Sequence, residues 1–254
     1  MNDNDYVDYD DENRFLFDDA LDDVYRDESE AVYWEKIRNL SKEEYENRHL
    51  ESHKDVVRIK KLEKYMVRPH QKLSLEETRK LNEIISSSQD ERPLQKFLED
   101  NPFVLTSKIH PAHHLQICIP TPNLGGLYKP DYLIAGLDSA GFWWYGVELE
   151  NPHYRMFNKN GEQTKELSHA IRQIEDWREW LRNNISYAQN TLGFIQIDAD
   201  LPCYIIIGTR NQEIVDSETL QNRQRAVMKR DKNSLLLHHY EWLSDDKLNL
   251  VRVR

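Results

Sequence analysis

Three acidic residues, Asp131, Glu148 and Glu150, stand where two strand-like runs meet across a short turn. The runs are KPDYLIAGL and FWWYGVELE, and the four residues between them, Asp138-Ser139-Ala140-Gly141, have the composition of a hairpin turn. A tip between Ser139 and Ala140 sets Asp131 opposite Glu148, and directly opposed residues have Cβ atoms about 4.5–5.5 Å apart. Alternation places Trp144, Gly146, Glu148 and Glu150 on one face of the second strand, with Tyr145, Val147 and Leu149 on the other. That register rests on turn length, and a slip of one residue sends Asp131 to the opposite face. Like charges opposed in this way destabilise a sheet, so the arrangement calls for something that neutralises it. Hard divalent cations do so, because Mg²⁺ takes one or two carboxylates, several waters and phosphate oxygens. The chemistry that suits is phosphodiester hydrolysis, in which metal polarises the phosphate and lowers the pKa of the attacking water. The same spacing also fits a solvated sheet edge whose acids pair with Lys129 or Arg155.

The elements that must position these residues can be read from periodicity. Residues 31 to about 90 read as helix, with apolar residues at three- and four-residue steps in AVYWEKIRNL and KDVVRIKKLEKYMV. Ser74 and Glu77 form a capping box, and Leu75, Thr78, Leu81 and Ile85 mark the buried side of the helix that follows. The basic run Lys54, Arg58, Lys60, Lys61, Lys64, Arg68 and Lys72 reads as a solvated helix face, or else as a phosphate-contacting surface. PLQKFLEDNPFVL predicts a short amphipathic helix, with Leu94, Phe97 and Leu98 inward, stopped at Asn101-Pro102. HLQICIP is a strand with Leu115, Ile117 and Ile119 in alternation. KELSHAIRQIEDWREWLRNN keeps a 3.6-residue step through Leu167, Ala170, Ile171, Ile174, Trp177 and Leu181. LPCYIIIGT is a buried strand, followed by a polar helical stretch and a last strand in SLLLHHYEWL.

Composition excludes several classes. No stretch approaches the roughly 18 apolar residues of a membrane helix, and the acidic opening is unlike an export signal. A membrane partner is therefore not expected, and a cytoplasmic setting is. Two cysteines, Cys118 and Cys203, are too few for a disulfide scaffold and read as small buried residues. The net charge of −11 is local. Residues 1–30 carry 13 acids against Arg14 and Arg26, and the other 224 residues balance 32 acids with 32 bases. An acidic pI thus does not argue against a polyanionic partner. The tail reads as a disordered, solubilising segment, or as a DNA-mimicking flap with its interleaved aromatics.

Pro130-Asp131 opening one strand, with Glu148-Leu149-Glu150 on the next, resembles the PD-(D/E)XK nuclease signature. The longer stretch KPDYLIAG…WWYGVELENPHYRMFNKNGEQTKELSHAIRQIEDWREWLRNN is more specific. With PLQKFLEDNPFVL before it and CYIIIGTRNQE…LLHHYEWL after it, it resembles the C-terminal nuclease domain of the Shedu family of bacterial anti-phage proteins. The resemblance spans about residues 92–243. It implies an α/β fold with a restriction-endonuclease-like core (helix, three strands, helix, strand) in residues 92–254; the helical region at 31–91 and the acidic tail 1–30 before it rest on periodicity and charge instead. It implies Asp131 and Glu148 as ligands of Mg²⁺ or Mn²⁺. Glu99, on the helix before the sheet, takes the place of a further acid assisting the metal, though it also reads as an ordinary exposed helix residue. Gln173 matches a glutamine on the following helix, and reads equally as a capping or interhelical amide. The implied activity is a metal-dependent DNA endonuclease in defence against phage, acting as a homo-oligomer, with a phage component as a candidate trigger.

The sequence departs from the signature where a catalytic lysine is usual, since Glu150 stands there. A lysine would steady the attacking water and the developing negative charge, and a glutamate cannot. Either Glu150 is a third metal ligand and a second metal stabilises the charge, or a cation comes from elsewhere. Lys165 and Arg172 on the following helix, and Lys159 on the connecting loop, are candidates. The remaining alternative is a catalytically silent module that binds nucleic acid or senses a phage component through oligomerisation. Asn-Pro-x-Tyr and Gly-Glu-Gln-Thr after Glu150 resemble a Glu-Leu-Glu branch of the same family. His113-His114 and His238-His239 sit on or beside strands, where neighbours point to opposite faces, so they read as structural.

Overall fold

The computed structural model describes residues 58–245 apart from 69–70, 111–114, 139 and 232–233. The acidic segment 1–30, the helix expected over AVYWEKIRNL, Lys54 and His113-His114 lie outside the described residues. Helix α1 (Leu75–Ser87) starts as its capping box requires: Glu77 N–H donates to Ser74 Oγ at 3.2 Å and Ser74 N–H to Glu77 Oε2 at 2.7 Å. Leu81 and Ile85 are buried, but Leu75 is 92% exposed. Its place in the first turn, before the helix reaches the core, takes it off the apolar stripe.

Upstream, the expected helix over KDVVRIKKLEKYMV is not continuous. After a helical turn at 58–60 the chain makes a 3₁₀ turn (Glu63–Tyr65) and then strand β1 (Met66–Val67). β1 pairs antiparallel with β2 (Leu115–Pro120), Met66 opposite Ile117. The open edge of β2 supplies backbone partners that override the helical spacing of the sequence. Part of the basic run has a structural task. Lys61 Nζ donates to the carbonyls of Asn190 and Thr191 at 3.4 and 3.2 Å, and Arg58 donates to Asn190 Oδ1. Both basic groups thus sit at the C-terminal end of the longest helix, where the macrodipole favours cations.

Helix α2 (Arg92–Asp100) buries Leu94, Phe97 and Leu98 and ends at Asn101-Pro102, as the sequence predicts. The chain re-enters helix at once as α3 (Phe103–Ile109), which the sequence reading did not anticipate. Proline is tolerated at a helix start, where its missing N–H has no partner to lose. Strands β2, β3 (Tyr132–Asp138) and β4 (Gly141–Leu149) follow, then α4 (Lys165–Asn190), β5 (Cys203–Ile206), α5 (Ser217–Arg230), β6 (Leu235–His238) and the short α6 (Glu241–Ser244). From α2 onward this is the expected order with α3 added and the last strand shortened: of SLLLHHYEWL only Leu235–His238 is strand, and its Glu-Trp-Leu end begins α6.

One mixed six-stranded sheet runs β1-β2-β3-β4-β5-β6. β1 to β4 pair antiparallel, and β5 and β6 run parallel to β4 and β5 respectively. Its two faces are covered by different helices, giving three layers. One face carries Leu133, Ala135, Trp144, Cys203 and Ile205 against Ala170, Ile174 and Trp177 of α4 and Leu220 and Val227 of α5. The other carries Tyr132, Ile134, Val147, Leu149 and Tyr204 against α1, α2, α3 and α6. Both cysteines are free and buried. No helix among the described residues is long and apolar enough to cross a membrane.

Candidate functional site

The β3–β4 hairpin has the register that turn length predicts, with Asp138 opposite Gly141 and Tyr132 opposite Val147. Asp131, one residue before β3, is therefore in line with Glu148. Trp144 and Glu148 share the α4 face, whereas Val147 and Leu149 point to the other layer. Gly146 between them lets α4 lie close to the sheet: a Cβ there would fall 2.4 Å from Trp177 Cη2. Trp177 uses this closeness to donate its indole N–H to Glu148 Oε1 at 2.9 Å. A buried indole N–H needs such a partner.

The two carboxyl groups interact directly. Asp131 Oδ2 accepts the Leu149 backbone N–H at 2.7 Å, and the carboxyl groups of Asp131 and Glu148 lie against one another. Burial pushes Asp131 up to about 6, assisted by the charge of Glu91 and opposed by the Leu149 N–H. Glu148, 5% exposed, is driven well above the carboxylate range by burial and then by the charge of Asp131, with the Trp177 bond acting the other way. Burial raises Glu150 to about 7, with further contributions from Glu91, Asp131 and Glu166. Among the described residues no basic side chain forms an ion pair with Asp131, Glu148 or Glu150. The alternative of a salt-bridged sheet edge does not form among the described residues: Arg155 Nε donates to the Gln212 carbonyl at 2.5 Å, and Lys129 makes no ion pair with any of them.

Glu91 was not among the residues singled out in the sequence. It occupies the N-cap position of α2 without a side-chain capping bond, and the turn that carries it is held by a clamp just beyond Glu150. Asn151 Nδ2 donates to the Gln89 carbonyl at 2.7 Å, and His153 Nε2 lies 2.7 Å from the Ser88 carbonyl. The loop after β4 thereby holds the turn between α1 and α2. Glu99 lies two turns further along α2, is exposed, and acts on the Tyr132 hydroxyl rather than on Asp131, Glu148 or Glu150. Tyr240, fully buried, donates its hydroxyl to the Glu150 carbonyl at 2.7 Å and fixes the end of β4.

Gln173 is half-buried on α4, one turn before Trp177. Lys165 is exposed at the first position of α4, beside Glu166, and makes no ion pair among the described residues. Lys159 is exposed, and Arg172 Nη2 contacts His169 Nδ1 at 3.1 Å. His238 stacks on Trp242 at 4.1 Å, whereas His239 reaches Glu213 Oε1 at 3.3 Å, so the adjacent pair diverges as alternation requires. Three of the four tryptophans near the sheet (Trp144, Trp177, Trp180) are core residues, and Trp143 is 48% exposed.

Among the described residues no group of three or more His, Cys, Asp or Glu side chains is arranged to hold a metal ion. The donors are nonetheless of one chemical type. Carboxyl oxygens alone, crowded and unneutralised, match a hard divalent cation and not a soft one.

A family model described as the C-terminal part of the Shedu protein SduA matches residues 88–239 of the chain. The matched segment begins at the turn held by Asn151 and ends at His239, and so contains Glu91, Asp131, Glu148 and Glu150. No curated protein matches the chain.

Proposed function

The chain belongs to the Shedu family, and from that premise we propose that it is a metal-dependent DNA endonuclease acting in defence against phage. The reading includes a restriction-endonuclease-like core within the mixed α/β fold. The observation that carries it is the facing pair of half-buried Asp131 and buried Glu148, in contact with one another and, among the described residues, without a basic partner. Asp131 and Glu148 would hold Mg²⁺ or Mn²⁺, with Glu150 as a further ligand. Bound metal would polarise a DNA phosphate and lower the pKa of the attacking water. Glu99, or Glu91 at the α2 start, whose charge acts on Asp131 and Glu150, would be the assisting acid. Lys165 and Lys159, exposed and without ion pairs among the described residues, are free to turn to a phosphate in place of the usual lysine. Gln173, one turn before Trp177 on α4, would orient substrate or water. Homo-oligomeric assembly would set paired sites on one duplex.

The test is cleavage of supercoiled and linear duplex DNA with Mg²⁺, Mn²⁺ or EDTA, by the wild type, Asp131→Asn and Glu150→Lys. Metal-dependent cutting that is lost in Asp131→Asn supports both the activity and the site. Activity gained only in Glu150→Lys identifies an intact site that lacks its cation. No cutting by any of the three, with free ends supplied, overturns the nuclease reading in favour of a nucleic-acid-binding or sensing module.

A further inference from the structure

Trp177 does more at the site than fill space. Its ring is 2% exposed, packed against Gly146 and Cys203 and flanked on α4 by Ile174 and Leu181. The indole is thus fixed, and its N–H holds Glu148 Oε1 at 2.9 Å. Asp131 is held in the same manner through Oδ2 by the Leu149 N–H at 2.7 Å. Each of the facing carboxyl groups therefore has one oxygen engaged by an immobile donor. Beyond the contact between the two carboxyl groups themselves, no other donor among the described residues reaches Asp131 Oδ1 or Glu148 Oε2.

We infer that Trp177 is a positioning residue that limits Glu148 to one oxygen toward a bound cation, and that the site thereby favours Mg²⁺ and Mn²⁺ over Ca²⁺. The inference rests on the metal-dependent reading above. Ca²⁺ takes about six to eight oxygens and often gathers them by chelating a carboxylate through both of its oxygens, whereas Mg²⁺ requires near-octahedral single-oxygen contacts. Chelation through Glu148 would bring the cation onto Oε1 as well, where it competes with the indole N–H for the same oxygen and weakens that bond. Packing prevents the indole from following. Partners that orient metal ligands in this way also set affinity.

The experiment measures Mn²⁺ binding to the full chain by the electron paramagnetic resonance of free Mn²⁺, then competes it with Mg²⁺ and with Ca²⁺. Trp177→Phe removes the N–H. The double variant Gly146→Ala/Trp177→Phe places a methyl where Cη2 and Cζ2 had been, and keeps the core filled if the single variant does not fold. Relative to Mg²⁺, Ca²⁺ should compete about tenfold better in either variant than in the wild type. An unchanged ratio in a folded variant that still binds Mn²⁺ leaves the metal site standing and overturns the role of Trp177. A wild type that prefers Ca²⁺ over Mg²⁺ overturns the inference without any variant. Absence of Mn²⁺ binding by the wild type, or wild-type binding by Glu148→Ala, sinks the metal reading of the site and this inference with it.

Discussion

Consecutive residues of α4 reach two buried charges of opposite sign that the fold treats differently. Arg178 is 5% exposed, and its charge is answered: Nη1 meets Asp231 at 3.0 Å, and Nη2 donates to the carbonyls of Leu201 and Ser234 at 2.8 and 3.0 Å. It fastens the entry of β5 to that of β6. Glu148, also 5% exposed, receives one indole N–H from Trp177 and otherwise faces Asp131 and Glu150. A buried charge that holds a fold is paired, because an unpaired one is costly. A buried acid left facing other acids stores a need for a cation, and such local frustration is where function is found.

The sharpest way to break the contrast is to neutralise the acid without changing its shape. Glu148→Gln should reduce metal-dependent DNA cleavage on the order of 10³-fold, the loss expected when several kcal/mol of metal-borne stabilisation disappear. The same variant should keep its fold by circular dichroism and melt no lower than the wild type in EDTA. A Glu148→Gln protein that melts well below the wild type would mean that the acid serves the fold, as Arg178 does.

Next in size is the opposite pole. Arg178→Met should lose about 2–4 kcal/mol of unfolding free energy in urea titrations, since it strands Asp231 and leaves the Leu201 and Ser234 carbonyls short of a donor. Molecules that remain folded should cut DNA at the wild-type rate. A loss of rate without a loss of stability would place Arg178 in the site and remove the contrast.

The hairpin was legible in the sequence and the clamp was not. Four turn residues fix the β3–β4 register, so one local feature places Asp131 against Glu148. Ser74 and Glu77 likewise signal α1 three residues apart. Glu91 gave no such signal. It joins the acids only because Asn151 bonds the Gln89 carbonyl across 62 residues of sequence, and such a contact leaves no periodicity. The helical spacing of KKLEKYMV misled for a related reason, since β1 exists only because the β2 edge is there to pair with it. Trp177 was legible as core from its step along α4, but the polar use of its N–H depends on which side chain faces it.

A smaller effect should appear in the pH dependence of stability. Asp131 has an ordinary value of 3.8, and folding raises it to about 6. The neutral form is therefore the one the metal-free fold prefers. Whatever stability it confers is fully present below pH 3.8, and is lost as pH rises through 6 and the carboxyl ionises beside Glu148 and Glu91. Asp131→Asn keeps an oxygen for the Leu149 N–H and cannot ionise. In EDTA at pH 8 it should be more stable than the wild type, on the order of 2 kcal/mol, and the difference should vanish near pH 4. Paired urea titrations at the two pH values measure it. Saturating Mg²⁺ should reverse the order at pH 8, because the wild type gains binding energy that the variant cannot.

The smallest effect separates Glu91 from Glu99, which lie on one helix and differ in what they reach. After burial, the charge of Glu91 contributes most to raising Glu150, whereas the charge of Glu99 is felt at the Tyr132 hydroxyl. Removing the Glu91 charge relieves a like-charge repulsion, so Glu91→Gln should lower the Glu150 value from about 7 by about half a unit. Glu99→Gln should leave it where it is. Carboxyl-labelled glutamate followed by nuclear magnetic resonance through a pH titration in EDTA reads both variants directly. Equal shifts from the two would mean that the acids on α2 act only as a diffuse field. A shift from Glu91 alone means that the Asn151 clamp, by fixing the turn before α2, selects which of two acids joins the cluster.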